Sequence, residues 1–208
     1  EKGGDWDARV EDDALHYTDA AGVLTLPLPA MQGTHQADNA ALAVAMLRHQ
    51  SALSVSAEAL AIGITAMRWP ARMQRMSAGP LTGLAKGHAI WLDGGHNTDA
   101  GAALAAFFAG RSAKMHLIIG MLSNKDAGSI VRPLAPHLAS VTVVPVQGHE
   151  HHGVDAFAAV LNGATEVTAA PSLPPALSAL PDDQADILIG GSLYLCGEAL
   201  RLNREFPA

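Results

Sequence analysis

The residues best suited to chemistry in this sequence lie in a short polar turn, Leu92 to Asn97, which follows an apolar segment. Asp93 supplies a carboxylate there, and two glycines separate it from the imidazole of His96. A carboxylate at the end of a strand can accept hydrogen bonds from ribose hydroxyls, and glycines let the backbone approach a ligand closely. An Asp/Asn turn with a hydrogen-bonded structural histidine explains the same pattern, so the spacing alone leaves both interpretations open.

Two further turns combine small and polar residues after an apolar segment. Ile189 to Ser192 places Ser192 at a predicted helix N-terminus, where free backbone N–H groups favour a carboxylate or a phosphate. An ordinary N-cap explains Ser192 equally well. The other turn, Met121 to Asp126, we interpret as structural, with Ser123 and Asp126 forming a variant of the capping box.

Two segments in the first part of the chain carry candidate ligand-binding residues. Gly33 to Ala40 concentrates polar side chains, including Asn39, on the first turn of a predicted helix that Thr34 can cap. A capped amphipathic helix is the simpler explanation for this segment. Arg72 lies in a predicted linker, where a guanidinium between two domains could bind a phosphate with two hydrogen bonds. An exposed linker arginine is the alternative.

Three other sequence features limit the chemistry. Histidines surround Glu150 between Gly148 and Gly153, but adjacent histidines in such a loop diverge and no H-x-x-x-H spacing accompanies them. We therefore expect no metal site there. Cys196 lies in an apolar helical segment and is expected to be buried and structural. The sequence contains no G-x-x-x-x-G-K-[ST] motif, which would cradle the phosphates of ATP.

The elements that must position these residues follow from hydrophobic periodicity. The first part of the chain predicts a β-hairpin, 14–18 with 23–28, and two helices, one through about Arg48 and one from Ser56 to Met67. From residue 88 onwards, apolar strands alternate with helical segments, and crossovers of helical length give a mostly parallel sheet covered on both faces. The predicted strands are 88–93, 115–121, 141–146, 166–169 and 187–190.

The predicted fold is therefore a Rossmann-like α/β domain preceded by the hairpin and the two helices. A stretch rich in proline and glycine, 70–87, contains the predicted boundary. We place the two domains at 1–73 and 74–208.

Composition narrows the class of protein. Acidic residues outnumber basic ones by 20 to 13, the formal charge is −7 and no Lys/Arg cluster occurs, which argues against nucleic-acid and membrane binding. A single cysteine excludes an internal disulfide and suits a reducing cytoplasm. No apolar run reaches the roughly 18 to 20 residues that span a bilayer. The chain opens in charged, glycine-rich sequence without an initiator methionine, so we expect a cytoplasmic fragment of a longer polypeptide.

Five motifs, taken in order, resemble the Mur ligase superfamily and, within it, the folylpolyglutamate/dihydrofolate synthases. Each motif is weak alone, but five in the same order over almost the whole chain are specific. Ala71 stands where the family often has glycine, and Gly95 and Thr98 are similarly small departures. The motifs are G-T-H-Q-A-D-N-A at Gly33 to Ala40, W-P-A-R at Trp69 to Arg72, L-D-G-G-H-N at Leu92 to Asn97, G-M-L-S-N-K-D at Gly120 to Asp126 and G-G-S-L-Y-L-C-G-E at Gly190 to Glu198.

The resemblance implies a three-domain ligase, of which this chain supplies the end of the central ATPase domain and the Mur ligase carboxy-terminal domain. Positions matching Asn39, Arg72 and Asp93 contact ATP in the family, near the adenine, at the phosphates and at the ribose or interdomain face. Positions matching His96 and Ser192 line the cleft that receives the incoming glutamate. No catalytic residue and no metal ligand is assigned within this chain.

The reaction implied by the resemblance phosphorylates a pteroate or folate carboxylate with ATP and Mg²⁺, and the glutamate amine then attacks the acyl phosphate. The expected partners are ATP, L-glutamate, dihydropteroate or folate, and the missing N-terminal domain of the same polypeptide. That domain would carry the P-loop and the metal ligands, so we expect this chain to be inactive alone and the intact protein to be a monomer. The alternatives are the carboxy-terminal half of a cell-wall Mur ligase and a stand-alone Rossmann-like module that binds a nucleotide or a partner.

Overall fold

The computed structural model describes residues 1–31, 33, 35–111 and 113–205. These residues form two compact units, Glu1–Trp69 and Pro70–Ala208. The division falls four residues before the end of the predicted first domain, so Arg72 belongs to the second unit. None of the helices in the described ranges is long and apolar enough to cross a membrane.

The first unit contains a three-stranded antiparallel sheet in the order β1-β2-β3, followed by two helices. The predicted hairpin corresponds to β2 and β3, and β1 is an additional strand that the sequence analysis missed. Residues of β1 are mostly exposed and half of them are charged, but the segment WDARVE alternates between apolar and charged residues, so a strand signal was present and was overlooked. The elements are β1 (Trp6–Glu11), β2 (Ala14–Asp19), β3 (Gly22–Pro27), α1 (His35–Arg48) and α2 (Ala57–Ala66).

Caps and a buried ion pair define the ends of these elements. Ser56, where the second helix was predicted to start, is the N-cap of α2, and its Oγ accepts a hydrogen bond of 3.1 Å from the Ala59 N–H. The predicted cap Thr34 lies outside the described residues. At the other end of α1, the guanidinium of Arg48 donates two hydrogen bonds of 2.7 Å to Asp19. Mainly through these bonds, and against the effect of burial, the pKa of Asp19 is lowered from 3.8 to about 2.

The second unit is built on a six-stranded sheet in the order β4-β5-β9-β6-β7-β8. The pairs from β5 to β8 are parallel, as predicted for a Rossmann-like domain, whereas β4 pairs antiparallel with β5. The strand β4 is only two residues long, too short to be recognised from alternation. The strands are β4 (Gln74–Arg75), β5 (Ile90–Asp93), β6 (Met115–Ile119), β7 (Leu138–Val143), β8 (Glu166–Ala169) and β9 (Ile187–Gly190).

Helices cover both faces of this sheet, as the alternating pattern predicted. Along β6, Ile118 packs into a core with side chains of α6 and α7, whereas Leu117 and Ile119 pack into a second core with α3, α4 and α5. Successive side chains of a strand point to opposite faces, so a strand buried on both faces is apolar throughout. The helices are α3 (Thr98–Ala109), α4 (Gly128–Leu134), α5 (Val154–Leu161), α6 (Leu173–Ala179) and α7 (Leu193–Leu202), with 3-10 turns at Thr82–Ala85 and Ala135–His137.

The turn after β6 differs from its prediction as a variant capping box. Helix α4 begins at Gly128, its N-cap Ala127 makes no side-chain capping bond, and Asp126 instead accepts from the Gly128 N–H at 2.9 Å. The Ser123 N–H donates to the carbonyl of Glu150 at 3.1 Å. The interpretation of Ser123 and Asp126 as a capping box was therefore wrong. The Ser123 N–H is bound by the neighbouring loop, and the helix starts only after Asp126.

Candidate functional site

The two polar turns predicted after β5 and β9 lie side by side. These strands are parallel neighbours, and the last residue of β5, Asp93, is paired in register with Gly190, the last residue of β9. Each turn leads directly into a helix, α3 after β5 and α7 after β9. The carboxyl edge of the sheet thus presents two adjacent strand-to-helix turns, which is where open parallel sheets bind ligands.

Glycines allow the close contact between the two turns. A Cβ atom on Gly190 would lie 2.7 Å from the carbonyl oxygen of Asp93, and a Cβ on Gly94 would overlap the side chain of Leu193. Real Cβ contacts are longer than this, so a larger residue at either position would push the turns apart. The glycines flagged in the sequence therefore have a packing reason that does not depend on a ligand.

Asp93 is buried and binds two backbone N–H groups. Its Oδ2 accepts from Met73 at 2.9 Å, and its Oδ1 accepts from Gly95 at 2.8 Å. The Gly94 N–H donates in turn to the carbonyl of Ala71 at 2.9 Å. The segment on either side of Arg72 is therefore joined to the turn after β5, a connection that the sequence analysis did not predict.

Arg72 sits between two residues in the left-handed region of backbone space. Ala71 has φ +57° and Met73 has φ +44°, conformations that residues other than glycine adopt only when the surroundings enforce them. Ala71 stands where the resembling family often has glycine, which fits the positive φ. This half-buried arginine is thus carried on a strained segment that the turn after β5 holds in place.

The charges of Arg72 and Asp93 both act on the thiol of Cys196 in α7. Burial raises the pKa of this thiol well above its ordinary value, Asp93 raises it further, and Arg72 opposes the increase. Cys196 is fully buried and free, as the sequence predicted for a structural cysteine. The charges of Arg72 and Asp93 therefore both reach Cys196, which lies in the helix that Ser192 caps.

His96 and Ser192 follow their strands in the two turns. The Nδ1 of His96 lies 3.1 Å from the carbonyl oxygen of Gly94, an acceptor, so we assign the ring proton to Nδ1 and the lone pair to Nε2. Ser192 is buried, and its Oγ accepts from the Leu195 N–H at 3.1 Å, which confirms the N-cap. The ligand-binding role predicted for Ser192 is a separate matter and stays a prediction.

Asn39 belongs to the other compact unit. It lies near the start of α1, just after the first turn, is exposed, and donates from Nδ2 to the Oε1 of Gln36 at 3.3 Å. The structure therefore groups four of the five predicted site residues in the second unit and places the fifth on the first unit.

An open cleft of about 760 Å³ beside these turns was missed in the sequence analysis. It is lined by Ser123 and by 145–151, which follow β6 and β7. The His152 N–H binds the carbonyl of Met121 at 2.9 Å, and the His149 ring lies 4.0 Å from the ring of Tyr194. Among the described residues, no group of three or more His, Cys, Asp or Glu side chains could hold a metal ion. The sequence signal was the position of this histidine-rich loop after a predicted parallel strand.

Comparisons with known proteins were made on both sequence and structure. No protein-family model matches the chain. The chain is 31% identical over 183 residues to a probable bifunctional folylpolyglutamate synthase/dihydropteroate synthase of Halobacterium salinarum. This match covers 84% of the chain and 21% of that protein. It is 29% identical over 185 residues to the folylpolyglutamate synthase of Lacticaseibacillus casei, and this second match covers 86% of the chain and 41% of that protein.

A solved structure gives the same match. E. coli FolC in complex with DHPP and ADP is 26% identical, has a TM-score of 0.76, and is matched over 96% of this chain and 46% of that chain. The chain thus spans less than half the length of these relatives. By sequence and by fold, the chain is related to the folylpolyglutamate/dihydrofolate synthases of the Mur ligase superfamily and corresponds to a carboxy-terminal portion of them.

Proposed function

We propose that this chain is part of an ATP-dependent ligase that adds L-glutamate to dihydropteroate or folate through an acyl-phosphate intermediate. Its relatives are folylpolyglutamate synthases, and the solved FolC structure carries ADP. The observation that carries the proposal is the Asp93 carboxylate, which holds the segment bearing Arg72 against the turn at the carboxyl edge of the sheet.

On the nucleotide side, Arg72, Asp93 and Asn39 are the proposed ATP-binding residues of this chain. A guanidinium is always charged and offers a fork of N–H donors that matches phosphate oxygens, and Arg72 is held by fixed neighbours on both sides. Asp93 holds the segment that carries Arg72 through its bond to the Met73 N–H, and we propose that it also contacts the ribose of ATP. Asn39, an exposed residue near the start of α1, presents an amide that can pair with the edge of a base.

ATP would supply the phosphoryl group that activates the folate carboxylate, with Mg²⁺ neutralising its phosphates. The sequence has no P-loop motif, and no metal-binding group of side chains is found among the described residues. We therefore propose that the phosphate cradle and the Mg²⁺ ligands come from a part of the ligase outside this chain.

On the amino-acid side, His96 and Ser192 are the proposed glutamate-binding residues. With the ring proton on Nδ1, the Nε2 of His96 can accept a hydrogen bond from the ammonium group of glutamate. The Ser192 Oγ accepts from Leu195, so its own proton is available to a carboxylate at the N-terminus of α7. These two contacts would orient the amine toward the activated carboxyl group.

The test is ATP hydrolysis that depends on both glutamate and folate, measured for this chain alone and for a longer polypeptide that includes it. We expect activity only in the longer form. In that form, Arg72→Ala should lower kcat/KM for ATP by roughly a hundredfold, the usual cost of losing a charge-stabilising donor. Arg75→Ala, which changes an exposed arginine three residues away on β4, is the matched control.

Two results would contradict the proposal. Hydrolysis by the short chain would mean that this chain contains a complete phosphate site. Wild-type kinetics of the Arg72→Ala variant would remove Arg72 from the ATP site.

A further inference from the structure

The carboxylate of Glu205, which follows α7, receives hydrogen bonds from its neighbour Asn203 and from two residues far away in the sequence, Gln74 and Ser77. Its Oε1 accepts from the Gln74 side chain at 3.1 Å and from the Ser77 hydroxyl at 3.2 Å. Its Oε2 accepts from the Ser77 N–H and from Asn203, both at 3.0 Å. Four donors thus converge on this half-buried side chain, which joins the end of the described chain to the region around β4.

Asn203 strengthens the same connection. It is buried, its Oδ1 accepts from the N–H groups of Leu81 and Thr82 at 3.1 Å, and its Nδ2 donates to the Ser77 carbonyl at 2.9 Å. A buried amide with all its partners in place holds one geometry. The position of the Glu205 carboxylate is therefore fixed by its neighbours.

Gln74 transmits this connection to the segment that carries Arg72. Its Nε2 donates to Glu205 and its Oε1 accepts from the Ala71 N–H at 2.9 Å. Because the Glu205 carboxylate can only accept and the Ala71 N–H can only donate, the side-chain amide of Gln74 can adopt only one orientation. Gln74 thus bridges Glu205 and Ala71.

Three hydrogen bonds now hold the residues that flank Arg72. Ala71 is bound through its N–H by Gln74 and through its carbonyl by Gly94, and the Met73 N–H is bound by Asp93. Left-handed conformations such as those of Ala71 and Met73 persist only where surrounding contacts enforce them. Glu205 and Gln74 supply the contact at Ala71 that Asp93 does not.

We propose that Glu205 and Gln74 are positioning residues that set the direction of the Arg72 guanidinium. This inference rests on the proposed function, because it takes Arg72 as a phosphate ligand of the ligase. Neither residue touches substrate in this account, since both act through the backbone at Ala71.

The first experiment is Glu205→Gln in the complete ligase. The amide is isosteric but turns one of the two acceptor oxygens into a donor, which would face N–H or O–H groups. We expect KM for ATP to rise roughly tenfold, a loss typical of a small misplacement of a binding group, with KM for glutamate unchanged. Glu166→Gln, an exposed carboxylate at the opposite edge of the same sheet, is the control and should leave both values unchanged.

The second experiment repeats Glu205→Gln in an Arg72→Ala background. If Glu205 acts through Arg72, its change should have almost no further effect on KM for ATP once the guanidinium is gone. An undiminished effect in that background, or no effect of Glu205→Gln in the presence of Arg72, would overturn the inference alone. An Arg72→Ala variant with wild-type kinetics would instead overturn the proposed role of Arg72 and the inference with it.

A reciprocal exchange guards against a folding defect. Gln74→Glu alone places two carboxylates together and should raise KM for ATP, whereas Gln74→Glu combined with Glu205→Gln restores a donor facing an acceptor. Recovery of KM in the double variant would support positioning. A double variant as impaired as the worse single variant would overturn it.

Discussion

Buried polar side chains lie at both ends of the central strands of the second unit, and the two ends use them differently. At the carboxyl end, Asp93 binds the backbone N–H groups of Met73 and Gly95, within glycine-containing turns that lead into helices. At the amino end, His88 and His116 are buried with their rings 6.2 Å apart, next to Asp183. We refer to His88, His116 and Asp183 as the amino-end cluster.

The amino-end cluster is closed by its own hydrogen bonds. The ring nitrogens of His88 lie 2.5 Å from the Ala185 carbonyl oxygen and 2.9 Å from that of Pro181. Those of His116 lie 2.7 Å from the Ser140 hydroxyl and 3.1 Å from Asp183. All four ring nitrogens therefore have partners within the protein, as expected of buried polar groups with a structural role.

The difference teaches why the two ends of one sheet have different uses. At the carboxyl end, helix N-termini leave backbone N–H groups pointing outward, and glycines keep the turns narrow, so a ligand can reach the backbone. At the amino end, the imidazoles bind the connecting segment between α6 and β9. Substitutions at the two ends should therefore separate binding from stability.

Asp93→Ala should have the largest effect, because the Asp93 carboxylate contributes to both stability and ligand binding at the carboxyl end of the sheet. Two buried N–H groups would lose their acceptor, and we expect the free energy of unfolding to fall by roughly 3 kcal/mol. In the complete ligase, KM for ATP should rise as well, because the Arg72 segment is released. Urea unfolding of the chain and ATP kinetics of the ligase measure the two parts. A loss below about 1 kcal/mol would show that these bonds contribute no more than an average hydrogen bond.

His88→Leu should have a smaller effect, restricted to stability. The ring contacts two carbonyl oxygens, those of Ala185 and Pro181, and a neutral imidazole donates to one of them, so we expect a loss of roughly 2 kcal/mol with no change in KM for ATP. His137→Leu is the control, since the ring of the half-buried His137 makes no hydrogen bond with any residue in the described part of the chain. A change in KM for ATP in His88→Leu would break the distinction between the two ends.

Acid should weaken the amino-end cluster slightly, which is the smallest expected effect. Burial opposes the charged form of Asp183, but hydrogen bonds from the Ala185 N–H and the His116 ring outweigh it and lower the pKa of this carboxyl below 3.8. Because the folded-state pKa is the lower one, the contribution is complete above about pH 4 and is lost as the pH falls through the folded-state value. Urea midpoints of the wild type and of Asp183→Asn should therefore converge below about pH 4. Parallel curves down to pH 2 would contradict this assignment.

Local sequence was sufficient for most elements of the fold. Strands β8 and β9 have the predicted bounds, because turn and proline-containing segments separate each of them from the neighbouring helices. Strand β1 was missed although its residues alternate between apolar and charged, and β4 was missed because it is two residues long. The predicted strand 141–146 is observed as Leu138–Val143, because its pairing with β6 begins at Leu138 and ends at Val143, whereas the apolar residues continue to Val146.

The candidate site was only partly accessible from the sequence. The turn at Asp93 and the cap at Ser192 follow from a polar residue placed just after an apolar strand. The cleft lined by 145–151 was missed because its shape depends on a loop packed against the turn after β6. The histidines in that loop were considered only as metal ligands.

By itself, the sequence determined the Rossmann-like alternation of strands and helices and the order of the polar turns, because both depend on side-chain period and on residues that are near neighbours. Only the tertiary structure decided that Gln74 meets Glu205, 131 positions away, and that Met73 binds Asp93. Such bonds depend on which strand becomes the neighbour of β5 and on where α7 ends. No local pattern encodes these contacts, because they form only when distant elements have packed around a common core.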